Sequence, residues 1–312
     1  MGNAIIFPGQ GCQTVGMGRE FYDNFEAARN VFKEVDDVLG RKLTRTIFDG
    51  PQEELTLTDN AQPAIMGVSM AILASVEAES GRNFEDICNF SAGHSLGEYT
   101  ALCASKSLTL DTTAKLLEIR GETFRHVGEK NRGSMAVIGA PLDLVEKIVR
   151  ESTLAGEILE ITNDNTDDQL VLSGNEKSLD RAIELAKING IGRVKKLAVA
   201  GAFHSKLMEP AVKIMREALE NVEINEPKVS IVANYTAEVE DTSEIKNNLL
   251  NQITNRVRWR ETMINMEKFG VDSFLELGPS RILGNMVRKT CPEARVTSIA
   301  SLENLKEFLK TL

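Results

Sequence analysis

Apolar positions along the chain follow one rhythm before residue 130, another to about residue 200, and the first again afterwards. Ala4 to Phe7 is a short apolar run stopped by Pro8, the pattern of a buried strand. Phe21, Phe25, Ala28, Phe32, Val35 and Leu39 recur at helical spacing, which predicts one helix from about Gly18 to Leu39. Gly40 to Asn60 is polar and irregular. Ala61 to Glu79 is rich in Ala and Met and apolar all round, as in a buried helix. Ile87 to Phe90 reads as a short strand, Leu96 to Ala104 as a helix, and Leu110 to Val127 as another with Asp111 near its start.

From Gly133 the elements shorten and change order. Ser134 to Gly139 reads as strand, Leu142 to Arg150 as helix, and Ile158 to Asn163 and Gln169 to Ser173 as strands around a polar turn. Glu176 to Asn189 is then helical, and Arg193 to Val199 extended. The order βαββαβ is that of a ferredoxin-like unit. Strand and helix alternate again afterwards, through Val229 to Ala233, Ser273 to Leu277 and Val296 to Ile299 as strands. Helices are predicted at Ser205 to Asn221, Ile245 to Ile253, Arg260 to Phe269, Arg281 to Lys289 and Leu302 to Lys310. The pattern predicts an α/β body with a parallel sheet, formed by residues 1–130 and 200–312, carrying an inserted ferredoxin-like subdomain at 131–199.

Charge narrows the partners. Asp plus Glu number 46 against 36 Lys plus Arg, a net −10, which argues against nucleic acid or an anionic membrane as the main partner. A small anionic ligand needs only a local basic pocket. Cys12, Cys88, Cys103 and Cys291 form no CxxC pair, so no metal site is expected through them, and a reduced compartment is the simpler setting. No basic leader or run of roughly eighteen apolar residues stands out, and the expected location is cytoplasmic.

The candidate chemistry centres on Gly93-His94-Ser95-Leu96-Gly97. Gly-x-Ser-x-Gly between a strand and a helix is a nucleophile elbow, with Ser95 on the sharp turn and the helix N-terminus beside it. A serine nucleophile needs a base, and the chain has three histidines. His94 adjoins Ser95 and is expected to point away from it, and His126 near a helix end reads as solvated. His204, between an apolar Leu197 to Ala200 strand and a helix, is either a surface histidine or the base at a strand end. Arg120 either makes a surface salt bridge to Glu118 or Glu122, or is a buried fork for a substrate carboxylate. Gly9-Gln10-Gly11 lacks the spacing of a dinucleotide fingerprint and suits backbone donors at an oxyanion site. Lys195 and Lys196 offer a basic patch for an acidic partner.

Phe7-Pro8-Gly9-Gln10-Gly11, Gly93-His94-Ser95-Leu96-Gly97-Glu98, Ala202-Phe203-His204-Ser205 and Glu276-Leu277-Gly278-Pro279 stand in the order seen in the malonyl-CoA:acyl carrier protein transacylase family. The chain resembles that family, and the acyltransferase domains of polyketide synthases and animal fatty acid synthases share the motifs. The resemblance implies a hydrolase-like α/β body with a ferredoxin-like insertion. It implies acylation of Ser95, His204 as general base, and Arg120 as the grip on the malonyl carboxylate. It also implies backbone N–H groups of Gln10 and Leu96 as the oxyanion hole, the Gln252 carbonyl orienting His204, and Phe203 beside His204 as the version favouring malonyl. Malonyl-CoA and acyl carrier protein are then the partners, with no metal or other cofactor. Cys12 stands where many relatives have Ser, and Arg256 where many have Pro, close to Gln252. An acyl-thioester hydrolase, a trans-acting polyketide acyltransferase and a non-catalytic carrier-docking module are the alternatives.

Overall fold

Ala4, Ile5, Ile6 and Phe7 are all buried because they form the middle strand of a sheet covered on both faces. The structure is a computed structural model that describes residues 2–197, 199 and 201–312. Strand β1 (Gly2–Phe7) pairs in parallel with β2 (Phe90–Gly93) on one side. Between them and the end of the chain come β3 (Gly133–Ile138), β4 (Leu159–Thr166), β5 (Gln169–Asn175), β6 (Val194–Lys196) and β7 (Ser230–Ile231). The last two strands are β8 (Val271–Leu277) and β9 (Arg295–Ile299). The larger sheet runs β7-β2-β1-β8-β9, all parallel, with Ile5 opposite Ser91 and Leu275.

Alternation along β1 divides the core. Ile5 and Phe7 join the cluster containing the Glu26–Leu39, Thr58–Ser80 and Leu110–Asn131 helices. Ala4 and Ile6 instead meet Trp259, Met263 and Met266 on the Trp259–Lys268 helix and Leu283 and Val287 on the Ile282–Thr290 helix. The smaller sheet is antiparallel in the order β4-β5-β3-β6, the ferredoxin-like arrangement of the βαββαβ pattern. Its Ala136, Ile138, Leu170 and Leu172 pack under the Leu142–Ser152 and Glu176–Ile188 helices, while Met135 and Val171 turn toward the body. The expected class, a parallel-sheet α/β body with this unit inserted, describes the molecule.

Several details differ from the sequence reading. The Gly18 to Leu39 helix is two, Arg19–Asn24 and Glu26–Leu39, broken at an extended Phe25 (φ −123°, ψ 128°). Side chains draw off the carbonyls that a continuous helix would use: Asn24 Nδ2 donates to Glu20 O, and Arg29 Nη1 to Tyr22 O and Asp23 O. Gly40 to Asn60 is not irregular throughout; Leu43–Asp49 and Gln52–Thr56 are short helices that bury Leu43, Ile47 and Leu55. The Ile87 to Phe90 run is shifted, because Asn83 and Asp86 form a capping box that starts a Phe84–Ile87 helix and delays the strand to Phe90–Gly93. The segment after His204 begins with a 3₁₀ turn, Lys206–Met208, before the Glu209–Glu220 helix. In the Arg193 to Val199 stretch the strand is Val194–Lys196, and residues 198 and 200 lie outside the described residues.

The Thr58–Ser80 helix is apolar enough by length and composition to cross a membrane, contrary to the expectation from the sequence. Its window of mean hydropathy 1.3 is 83% buried inside the fold, so its apolar surface is already covered.

Candidate active site

The elbow is built by glycines that admit backbone where a side chain has no room. A Cβ on Gly93 would lie 1.8 Å from Gly97 O, and one on Gly97 2.3 Å from Phe7 O. Between them Ser95 adopts φ 56°, ψ −108°, a conformation costing about 1–3 kcal/mol for a residue with a side chain. Both ends of the Ser95 backbone are held by amide side chains. Its N–H donates to Asn234 Oδ1 at 2.7 Å, and its carbonyl accepts from Gln252 Nε2 at 3.0 Å. The Leu96–Ala104 helix starts at the next residue, which aims its positive end at the serine.

His204 is buried, also at positive φ (60°), and its Nε2 lies 2.8 Å from Ser95 Oγ. Its Nδ1 is 2.7 Å from the Gln252 main-chain oxygen. A carbonyl can only accept, so Nδ1 carries the proton and Nε2 is left as acceptor for the serine hydroxyl. Burial, and then the neighbouring Arg120 charge, push the His204 pKa down to about 3, so the ring is neutral at pH 7. His204 is therefore not a surface histidine.

Arg120 is 1% exposed and makes no ion pair among the described residues. Its Nη1 donates to Gln62 Oε1 at 2.7 Å, and Nη2 to both Gln252 Oε1 (2.9 Å) and Ser95 Oγ (3.0 Å). The guanidinium lies 4.2 Å from the Phe124 ring centroid, and Nε has no partner. Glu118, one of the surface partners suggested by sequence, binds Arg41 instead. Burial lowers the Arg120 pKa, yet a guanidinium stays charged at neutral pH. The site thus holds a buried cation without a paired anion.

Gln10 and Leu96 both line the cavity beside Ser95. Their loops touch, since a Cβ on Gly9 would lie 2.7 Å from His94 O. Neither backbone N–H donates a hydrogen bond within the described residues. His94 lines the same cavity but is engaged outside the dyad: its Nε2 lies 2.9 Å from Asn165 Oδ1 and its ring is edge-on to Trp259. His126 is exposed. Cys12 Sγ donates to Gly9 O, and burial pushes its thiol up to about 12, so it braces the loop as a neutral group. Arg256 turns to the smaller sheet, donating from Nε to Ile161 O, and leaves the Gln252 carbonyl on His204. Lys196 is held by Glu176 and Asp180, so the Lys195–Lys196 patch is partly neutralised.

The cavity has a volume of about 410 Å³, and Arg120 is the one charged side chain among its described lining residues. Met135, Val137, Val171 and Phe203 give it an apolar wall. Among the described residues no cluster of three or more His, Cys, Asp or Glu side chains is placed to hold a metal ion. Gln62, Asn234 and Glu98 are the site residues that sequence reasoning did not assign. Glu98 ends the Gly93-His94-Ser95-Leu96-Gly97-Glu98 motif, but an amide or carboxyl on a helix or loop has no periodicity to mark it. Burial, and then Glu240, push the Glu98 carboxyl well above the usual carboxylate range.

Residues 4–309 match the model of a family described as an acyl transferase domain. Over 311 residues the chain is 36% identical to malonyl CoA-acyl carrier protein transacylase of Bacillus subtilis (strain 168), covering 99% of this chain and 96% of that protein. It is 33% identical to the protein of the same name from Staphylococcus aureus (strain MRSA252), over 97% of each. Among solved structures, an acyl-carrier-protein-S-malonyltransferase from Bartonella henselae superposes with a TM-score of 0.94 at 41% identity, over 100% of this chain and 99% of that one. A malonyl-transacylase solved in complex with a type II PKS acyl-carrier protein superposes with a TM-score of 0.94 at 30% identity, over the whole of both chains.

Proposed function

The chain belongs to the acyl transferase domain family, and from that premise we propose that it moves a malonyl group from malonyl-CoA to the phosphopantetheine thiol of acyl carrier protein, for fatty acid synthesis. Ser95 Oγ attacks the thioester carbonyl and passes its proton to His204 Nε2. The amides of Gln10 and Leu96 receive the oxyanion. The C–S bond breaks, and the imidazolium returns its proton to the CoA thiolate. In the second half the carrier thiol gives its proton to His204, its sulfur attacks malonyl-Ser95, and the serine oxygen leaves and is reprotonated. One thioester becomes another through an oxyester, so the balance calls for no redox or metal group. The Gln252 carbonyl holds the imidazole tautomer through both halves, in the place that a carboxylate takes in a Ser-His-Asp triad.

The observation that carries the substrate assignment is Arg120, a buried guanidinium with no paired anion among the described residues, lining a cavity free of acidic side chains among its described lining residues. A terminal carboxylate on the acyl group supplies the missing anion. The same feature weighs against a hydrolase for simple acyl chains, which would leave that charge uncompensated. Four free, buried cysteines suit the reducing cytoplasm.

Intact mass spectrometry tests the reading. Malonyl-CoA should leave a malonyl adduct on Ser95, which disappears when holo acyl carrier protein is added and reappears on the carrier. An adduct lost to water with no carrier product would make the protein a hydrolase, and no adduct at all would make it a docking module.

A further inference from the structure

Glu98 lies in the first turn of the elbow helix, fully buried and outside the lining of the cavity. An acid in such a position costs stability unless its oxygens are used. Both are used, and for the same purpose. Oε1 accepts the Asn234 backbone N–H at 3.3 Å, and Oε2 accepts from Gln252 Nε2. These two residues are the ones that grip the strained Ser95 backbone, Asn234 at its N–H and Gln252 at its carbonyl. Gln252 also gives its main-chain oxygen to His204 and its Oε1 to Arg120.

We propose that Glu98 is the positioning residue of the acyl-transfer site, with its two oxygens fixing Asn234 and Gln252 and, through them, Ser95, His204 and Arg120. The inference rests on the reading of Ser95 as nucleophile. Its physical basis is a donor–acceptor count. Asn234 N–H and Gln252 Nε2 are both donors, so the residue between them must present two acceptors. A carboxyl does this whether ionised or neutral, provided its proton faces elsewhere. The neighbouring Glu240 is available for that proton, since its Oε1 is buried without another partner. The orientation of the Gln252 amide follows. With Nε2 held by Glu98 and the Ser95 carbonyl, Oε1 must face Arg120. An amide at position 98 has one acceptor and one donor, and it would set donor against donor at one of the two contacts.

Glu98→Gln preserves the shape and removes a single acceptor. The readout is the rate at which the intact enzyme is labelled at Ser95 by phenylmethylsulfonyl fluoride, a neutral reagent that needs the serine and histidine but not Arg120. Labelling should slow by roughly 10- to 100-fold, as expected when a reacting group is misplaced by a fraction of an ångström. The kcat for malonyl transfer should fall in parallel while the melting temperature stays within a few degrees of the native value. Glu98→Asp withdraws both acceptors by one methylene and should also label slowly, which keeps the test alive if the Gln variant fails to fold. Native-speed labelling of either folded variant would overturn the proposal. If instead native enzyme is labelled at Ser95 by neither the sulfonyl fluoride nor malonyl-CoA, the nucleophile reading has failed, not this one.

Discussion

The parallel sheet brings Ser95 to the cavity at the end of β2, and the antiparallel sheet brings Met135, Val137 and Val171 to the same space. Parallel strands deliver their carboxyl ends to one edge, where each is followed by a loop and a helix N-terminus. Groups from distant parts of the chain converge there, and the backbone itself contributes dipoles. An antiparallel pleat presents every second side chain on a flat face. Along β3 the alternation sends Ala136 and Ile138 into the subdomain's own core and Met135 toward the cavity. One sheet can therefore concentrate reactive groups, and the other supplies a wall that shapes what enters. Substitutions in the first should act on the chemistry, and those in the second on binding and stability.

The largest effect expected is at the end of β2. Ser95→Ala should reduce covalent labelling by malonyl-CoA to the reagent blank, with an unchanged circular dichroism spectrum. An adduct on the variant would move the nucleophile elsewhere.

His204→Ala should cost roughly 10²–10⁴-fold in transfer rate, or more because the histidine acts as a unit with Ser95. The pH dependence sharpens this. With its folded pKa at about 3 against an ordinary 6.5, His204 remains a base well below neutrality. The acid limb of kcat/KM for acylation should therefore lie below pH 6.5. Over the same window the unfolded chain takes up a proton that the folded one does not, so this residue withdraws stability as pH falls from 6.5 toward 3. An acid limb at 6.5 would show that the imidazole is solvated in the working enzyme.

Arg120→Ala should separate substrates. Loss of a buried charge-assisted contact costs about 2–5 kcal/mol, roughly 30- to 5,000-fold in kcat/KM for malonyl-CoA. Acetyl-CoA has no carboxylate and should be used no worse. An equal fall for both thioesters, measured side by side, would reduce Arg120 to a support for the fold.

The smallest effect belongs to the wall. Val171→Ala removes two buried methyl groups, worth about 1–2 kcal/mol of stability by denaturant titration. The acylation rate at saturating malonyl-CoA should stay within a few-fold of native. A collapse of that rate would mean that the antiparallel sheet takes part in the chemistry, and the two sheets would not divide reactivity from binding.

What the sequence revealed and what it hid follow the same division. The elbow was legible because Gly93 and Gly97 are demanded by backbone contacts too close for a Cβ, and such demands leave a spacing. The dyad and the Gln252 carbonyl could be matched through their motifs, and the alternation of the inserted sheet was plain in its apolar pattern. Gln62 and Asn234 were not legible, since each acts through an amide whose partner is distant in the chain and made adjacent only by the fold. The break at Phe25 was hidden because its apolar spacing continues through it, with Phe25 still packed on Phe21. The capping box of Asn83 and Asp86 was a readable signal for the short helix before β2, but the run from Ile87 outweighed it.

The strand order also sets a sequence of events in time. β1 lies between β2 and β8, so Ile5 finds one neighbour in Ser91, while the other, Leu275, is synthesised far later. The antiparallel sheet draws all four strands from one stretch of chain and can close while the edge of β1 is still open. During synthesis the wall of the cavity can thus form before the parallel sheet that carries Ser95 is complete. Asn234 and Gln252, which hold the two ends of the Ser95 backbone, come from the later part of the chain, so the strained elbow lacks these two supports until they have been made.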